Sequence, residues 1–140
     1  MISALDISTS ALVAQRARLN ATASNLANMS TTRNENGDLE PYQARFVVFQ
    51  TDEELSTQYG AAGVKVASVE TDTVEPNYKY QPGHPSAIKQ GKWKDYVAYP
   101  NINMTTEFVD ALEATRAYEA NVGVIEVTKN LGQQTLRILA

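Results

Sequence analysis

The chain has 140 residues, 43% of them hydrophobic and 20% charged, with a net charge of −4; this is the make-up of one ordinary globular domain, or a small domain with extensions. An acidic pI of about 5.0 argues against a nucleic-acid partner, and the lack of cysteine removes disulfides, thiolate metal sites and cysteine nucleophiles together. No stretch reaches the eighteen or so apolar residues of a membrane span, and the N-terminus lacks the basic start, apolar core and cleavage site of a secretory signal.

Residues 1–32 are crowded with Ala, Ser, Thr and Asn and carry few charges. Leu5, Leu12, Leu19 and Leu26 recur every seven residues, which places them on one side of a helix. Ser3 with Asp6 has capping-box spacing, with Asp in place of the usual Glu. The reading is an amphipathic helix from about residue 3 to residue 29. Its Ser, Thr and Asn compete for backbone hydrogen bonds, so it forms mainly when another helix covers the leucine seam.

A loop follows over residues 30–41, marked by the Asn36-Gly37 turn signal and closed by Pro41. Residues 42–50, YQARFVVFQ, are rich in aromatic and β-branched types and read as a strand, as do residues 64–71, VKVASVET. The acidic segment between them, ending in Gly60 and Gly63, reads as a polar connection. Residues 72–100 hold Pro76, Pro82, Pro85 and Pro100, which forbid a helix and discourage central strands. Short edge strands are expected at residues 78–80 and 96–99.

Residues 103–140 form the longest helical pattern. Asn103 supplies an N-cap, and Glu107 and Asp110 sit where carboxylates suit the positive helix end. One apolar stripe runs through Met104, Phe108, Ala111, Leu112, Tyr118, Val122, Ile125, Leu136 and Leu139, and a second through Val124, Val127, Leu131 and Ile138 on the opposite flank. A single intramolecular partner cannot cover both flanks, so the excess points to other chains. Arg116, Tyr118 and Glu119 form a compact group that reads either as a core tyrosine beside a surface ion pair or as a subunit contact.

No active site emerges. His84, the only histidine, stands between prolines with no second metal-binding or basic partner. Asp52, Glu53 and Glu54 read as solvated acids, and the glycines match no phosphate-binding loop. Neither a catalytic residue nor a metal or cofactor is expected. The fold class is α+β: N- and C-terminal helices packed as a coiled coil, residues 1–32 and 103–140, with a small β-rich insertion at 33–102 between them. The alternative to a structural subunit is an adaptor or export chaperone that holds a client on its amphipathic helices.

Several blocks resemble bacterial flagellar basal-body rod proteins. SNLAN (Ser24 to Asn28) followed by Thr31-Thr32 is similar to the N-terminal signature of that family, and RAYEAN (Arg116 to Asn121) to its C-terminal one. VVF, GVKV, YQPGHP and YVAYPN, in that order, resemble its small proximal-rod members. The segment SAIKQGKWKD, residues 86–95, departs from the shorter acidic link usual there and brings Lys89, Lys92, Trp93 and Lys94. The resemblance implies a structural subunit of the proximal rod, assembling helically across the periplasm and transmitting torque. It also implies export through the flagellar type III apparatus without a cleaved signal, and contact with other rod proteins, hub components and copies of itself. The residues expected at helix packing and subunit contacts are Leu5, Leu12, Leu19, Leu26, Asn25, Asn28, Phe108, Arg116, Tyr118, Glu119, Asn121, Val122, Ile125, Leu131 and Leu136.

Overall fold

The computed structural model describes residues 4–139; Ser3, expected in a capping box, and Ala140 lie outside that range. Two helices, Ala4–Ala27 (α1) and Met104–Leu139 (α2), enclose four strands in sequence: Arg45–Ser56 (β1), Ala62–Thr71 (β2), Asn77–Tyr80 (β3) and Tyr96–Tyr99 (β4). The architecture is α+β, with two separate antiparallel two-stranded sheets, β1–β2 and β3–β4.

α1 and α2 lie side by side and antiparallel. Arg18 meets Asp110 while Asn25, one to two turns further on, meets Glu107. The buried residues of the pair are small or polar: Ser8, Ala14, Thr22 and Asn25 on α1, and Ala114 on α2. Small side chains let neighbouring elements approach closely, but they bury little apolar area. Leu12, Leu19 and Leu26 are half-buried and Leu5 is exposed, so the seven-residue leucine repeat is less enclosed than these positions.

α2 opens as its sequence dictates. Asn103 Oδ1 accepts the backbone N–H of Thr105 at 2.9 Å and of Thr106 at 3.4 Å, filling two positions that a helix start leaves without partners. With 36 residues against 24, α2 is about 54 Å long and α1 about 36 Å. The register set by Arg18 and Asn25 runs α1 out near residue 127 or so of α2. Every described residue from Lys129 onward is exposed.

The β1–β2 hairpin lies along α1 and covers a second of its faces. Its ladder pairs Arg45 with Thr71 and Asp52 with Gly63, and is interrupted between Val48 and Phe49 and again between Asp52 and Ser56. The strand continues through the acidic segment that the sequence presents as a connection, since Asp52, Glu53 and Glu54 lie in β1. At the second interruption Glu53, Glu54 and Leu55 have no opposite number, and Leu55 turns toward the helix. There the backbone of Gly63 comes within reach of α1: Val64 N–H donates to Ser10 Oγ at 3.0 Å. A Cβ on Gly63 would stand 2.9 Å from Leu55 Cβ and 3.0 Å from Ser10 Oγ. Gly63→Ala is therefore expected to destabilise the chain by about 1–3 kcal/mol, with protection lost first at β2 amides near Val64. Unchanged hydrogen exchange there would refute the close-approach role.

The β3–β4 sheet touches neither helix nor the other sheet as an element. It is tied down through the loop before it and the loop between its strands. Arg33 Nε and Thr32 Oγ1 both donate to the buried Ser86 hydroxyl, and Arg33 Nη2 donates to the Pro85 carbonyl at 2.9 Å. Val97, fully buried, holds the inner face. On the outer face Trp93 stacks flat on Tyr78 at 4.2 Å between ring centroids, and Tyr96 meets both Trp93 and Tyr80 edge-on.

Candidate assembly surfaces

Asn25 makes four side-chain hydrogen bonds from a buried position. It is only 3% exposed, and its amide uses every donor and acceptor it owns. Nδ2 donates to the Arg45 carbonyl at 2.9 Å and to Glu107 Oε2 at 3.1 Å. Oδ1 accepts the Arg45 N–H at 2.8 Å and the Tyr42 hydroxyl at 3.1 Å. Because Tyr42 gives its proton to Asn25, the Ser24 hydroxyl 3.0 Å away is the donor to Tyr42. One residue thus joins α1, the start of β1 and the first turn of α2. Neither the leucine repeat nor the composition could indicate this; Tyr42, Arg45 and Glu107 are distant in sequence and ordinary in type.

Asn28 finishes the helix. Its Nδ2 donates to the Ser24 carbonyl at 2.9 Å, and its Oδ1 accepts the Thr31 hydroxyl at 3.1 Å. Tyr42 N–H then donates to the Thr31 carbonyl, turning the chain back toward Asn25. The SNLAN…T block is therefore a helix stop and a three-way junction, which accounts physically for its residue types.

Glu107 lies in the first turn of α2, where a carboxylate suits the positive helix end, and both it and Asp110 also reach α1. Arg18 Nη2 bridges Asp110 and Glu113, each at 3.0 Å. These groups are partly to largely exposed, so the network contributes about 1 kcal/mol or less. Tyr118 is just over one-third exposed and lines a shallow groove with Thr9, Leu12, Val13 and Arg16. Arg116 and Glu119 are exposed, and no ion pair joins them among the described residues. Asn121 donates back to the Ala117 carbonyl at 2.8 Å, and Val122 and Ile125 are half-buried.

The remaining apolar residues of α2 have no cover. Met104, Phe108 and Leu112, spaced by four, form an exposed line on the first three turns. Ala114 is the buried residue of α2, and Ala111 and Asn121 are half-buried. On another flank Val124, Val127 and Leu131 are exposed, and beyond them Leu136, Leu139 and Ile138 stand open, Ile138 at 84%. Large apolar side chains left open in such number on a polar chain mark binding surfaces.

Nothing chemical competes with this reading. His84 Nδ1 accepts the Ser86 N–H at 3.0 Å, which fixes a turn. Among the described residues no cluster of His, Asp or Glu is placed to hold a metal ion, and no helix is long and apolar enough to cross a membrane.

The family described as "Flagella basal body rod protein" matches residues 5–33, and that described as "Flagellar basal body rod FlgEFG protein C-terminal" matches residues 94–138. The first match contains Asn25, Asn28 and Thr31, and the second contains β4, Glu107 and nearly all of α2. The "Flagellar basal-body rod protein FlgC" of Borreliella burgdorferi is 36% identical to this chain over 99% of it and 97% of the relative. The protein of the same name from Salmonella typhimurium is 39% identical, with the same coverage, and that from Bacillus subtilis is 38% identical over 96% and 95%. With residues alike over almost the whole length, and the two ends matched separately, the chain belongs to the family of flagellar basal-body rod proteins.

Proposed function

We propose that the chain is a structural subunit of the proximal rod of the bacterial flagellar basal body, assembling helically with copies of itself and with other rod and hub proteins. The family is one of structural rod proteins, not of enzymes. In this reading the subunit stands in the periplasm, carries torque along the rod, and reaches its place through the flagellar type III apparatus without losing a signal peptide. The observation that carries the proposal is the end of α2: from Lys129 onward no described part of the chain lies against it, yet Leu131, Leu136, Ile138 and Leu139 are apolar.

Burying such side chains contributes about 1.5–3 kcal/mol each, and only neighbouring chains can supply that here. Leu131, Leu136 and Phe108 are then primary subunit contacts, with Leu5 and the Arg116–Tyr118–Glu119 group beside them. The Asn25 junction, with Asn28, Asn121, Val122 and Ile125, holds the helix pair that presents these contacts. Leu12, Leu19 and Leu26 share its flank.

Hydrogen exchange on the isolated chain and on purified basal bodies tests the reading. Amides of residues 129–139 are expected to exchange freely in the isolated protein and to gain protection in the particle. Equal exchange in both, or absence of the chain from the particle, would reject it.

A further inference from the structure

The two sheets carry opposite charge at opposite ends of the molecule. Between Asn77 and Ile102 stand Lys79, Lys89, Lys92 and Lys94 against one acid, Asp95, although the whole chain is acidic. Lys92 Nζ lies 5.2 Å over the Trp93 ring. Beside it the outer face of β3–β4 presents Tyr80, 63% exposed, and Trp93, 36% exposed, and no described element covers them. Lys79 belongs to the opposite face, its Nζ 5.1 Å over the Tyr99 ring, so the lysines beside this aromatic face are those of the loop, Lys89, Lys92 and Lys94.

Its complement is the tip of the β1–β2 hairpin. Glu53 and Glu54 are exposed at the irregular stretch of β1, and Tyr59, in the turn closed by Gly60 N–H to the Thr57 carbonyl, is 96% exposed. Asp52 is paired with Lys65 at 3.6 Å, but neither Glu53 nor Glu54 has an ion-pair partner among the described residues. A hairpin end with an exposed tyrosine at its turn and carboxylates on the strand leading to it is what an aromatic face with lysines beside it accommodates, through ring stacking and charge pairing.

The two surfaces cannot meet within one molecule. Gly63 and Val64, at the tip end of the hairpin, lie against Ser10, whereas the small sheet is tied through Ser86 to Thr32 and Arg33, beyond the far end of α1. About 25 Å of helix separates these attachments. We propose that the β3–β4 face of one copy receives the hairpin tip of a second copy. Such a contact joins two different surfaces, so it repeats head to tail from copy to copy, as a ring or a helical series, rather than pairing one patch with itself in a two-fold dimer. It rests on the rod-subunit reading, but it names a contact away from the terminal helices.

The cysteine-free sequence permits a direct test. Chains carrying Glu54→Cys and Lys94→Cys together, incorporated into basal bodies and treated with a short bis-maleimide, are expected to yield a ladder of linked copies. Either substitution alone should yield none. Lys92→Glu with Lys94→Glu in the same background is not usable at position 94, so Lys89→Glu with Lys92→Glu serves instead, and should lower ladder yield about tenfold or more. Adding Glu53→Lys should recover part of that yield. Particles that contain the doubly substituted chain but give no ladder, or a link only to a different protein, overturn this contact and leave the rod reading standing. Absence of the unsubstituted chain from the particles overturns both.

Discussion

Replacing Asn25 with alanine is expected to lower the unfolding free energy of the isolated chain by about 3 kcal/mol, read from urea denaturation followed by circular dichroism. The substitution leaves the Arg45 N–H and carbonyl, the Tyr42 hydroxyl and the Glu107 carboxylate without their shared partner. A buried polar group left unpaired costs about 1–3 kcal/mol, and partial entry of water at Arg45 and Glu107 keeps the total below the sum. Asn25→Asp retains the acceptors, loses both donors and places a second negative charge beside Glu107, so it should be no milder. Arg18→Ala provides the contrast: its partners are exposed enough that about 1 kcal/mol or less is expected. A loss at Asn25 no larger than that at Arg18 would mean the junction is already hydrated.

The second large effect separates stability from assembly. Leu131→Asp combined with Leu136→Asp should leave the isolated chain within about 0.5 kcal/mol of the parent, because both side chains already face water. In the assembled particle the same change removes two apolar contacts and places two carboxylates against apolar neighbours. At about 1.5–3 kcal/mol for each lost side chain, and more for each charge desolvated, incorporation should fall by roughly a thousandfold or beyond. Motility of cells carrying the variant as their sole copy is the simplest readout, with fractionation of basal bodies beside it. Normal swimming would remove the end of α2 from the contact surface. A fall in the stability of the isolated chain would show that those leucines have an intramolecular partner.

The sequence announces its elements more clearly than their contacts. The helical period, the Asn103 cap and the proline clusters locate both helices and the short strands at Tyr78–Tyr80 and Tyr96–Tyr99, because these signals are local. β1 runs on to Ser56 through Asp52, Glu53 and Glu54, where propensity reads a connection. A two-stranded ribbon with one face on a helix leaves its other face in water, so acids are tolerated there and alternation is lost. The leucine repeat gives a partly covered side of α1 but not its most enclosed positions, which are Ser8, Ala14, Thr22 and Asn25, with Ala114 on α2. Apolar periodicity ranks large side chains, whereas close contact selects small ones. The Asn25 junction was invisible for another reason: its partners come from three segments, and only the fold brings them together. Trp93, odd in the sequence beside its lysines, proves to be stacked on Tyr78 while still leaving an open edge.

The sparse interior of the molecule bears on how it can be handled mechanically. Among the described residues the buried apolar side chains are Ala14, Val97, Pro100 and Ala114, none larger than a valine. Drawing such a chain lengthwise through a narrow bore opposes few interlocked side chains, so the work of straightening it is small and is met in short steps. In the assembly proposed above, rigidity would come afterwards, when neighbours close over the bare helix flanks, so that a polypeptide easy to thread would form a stiff array.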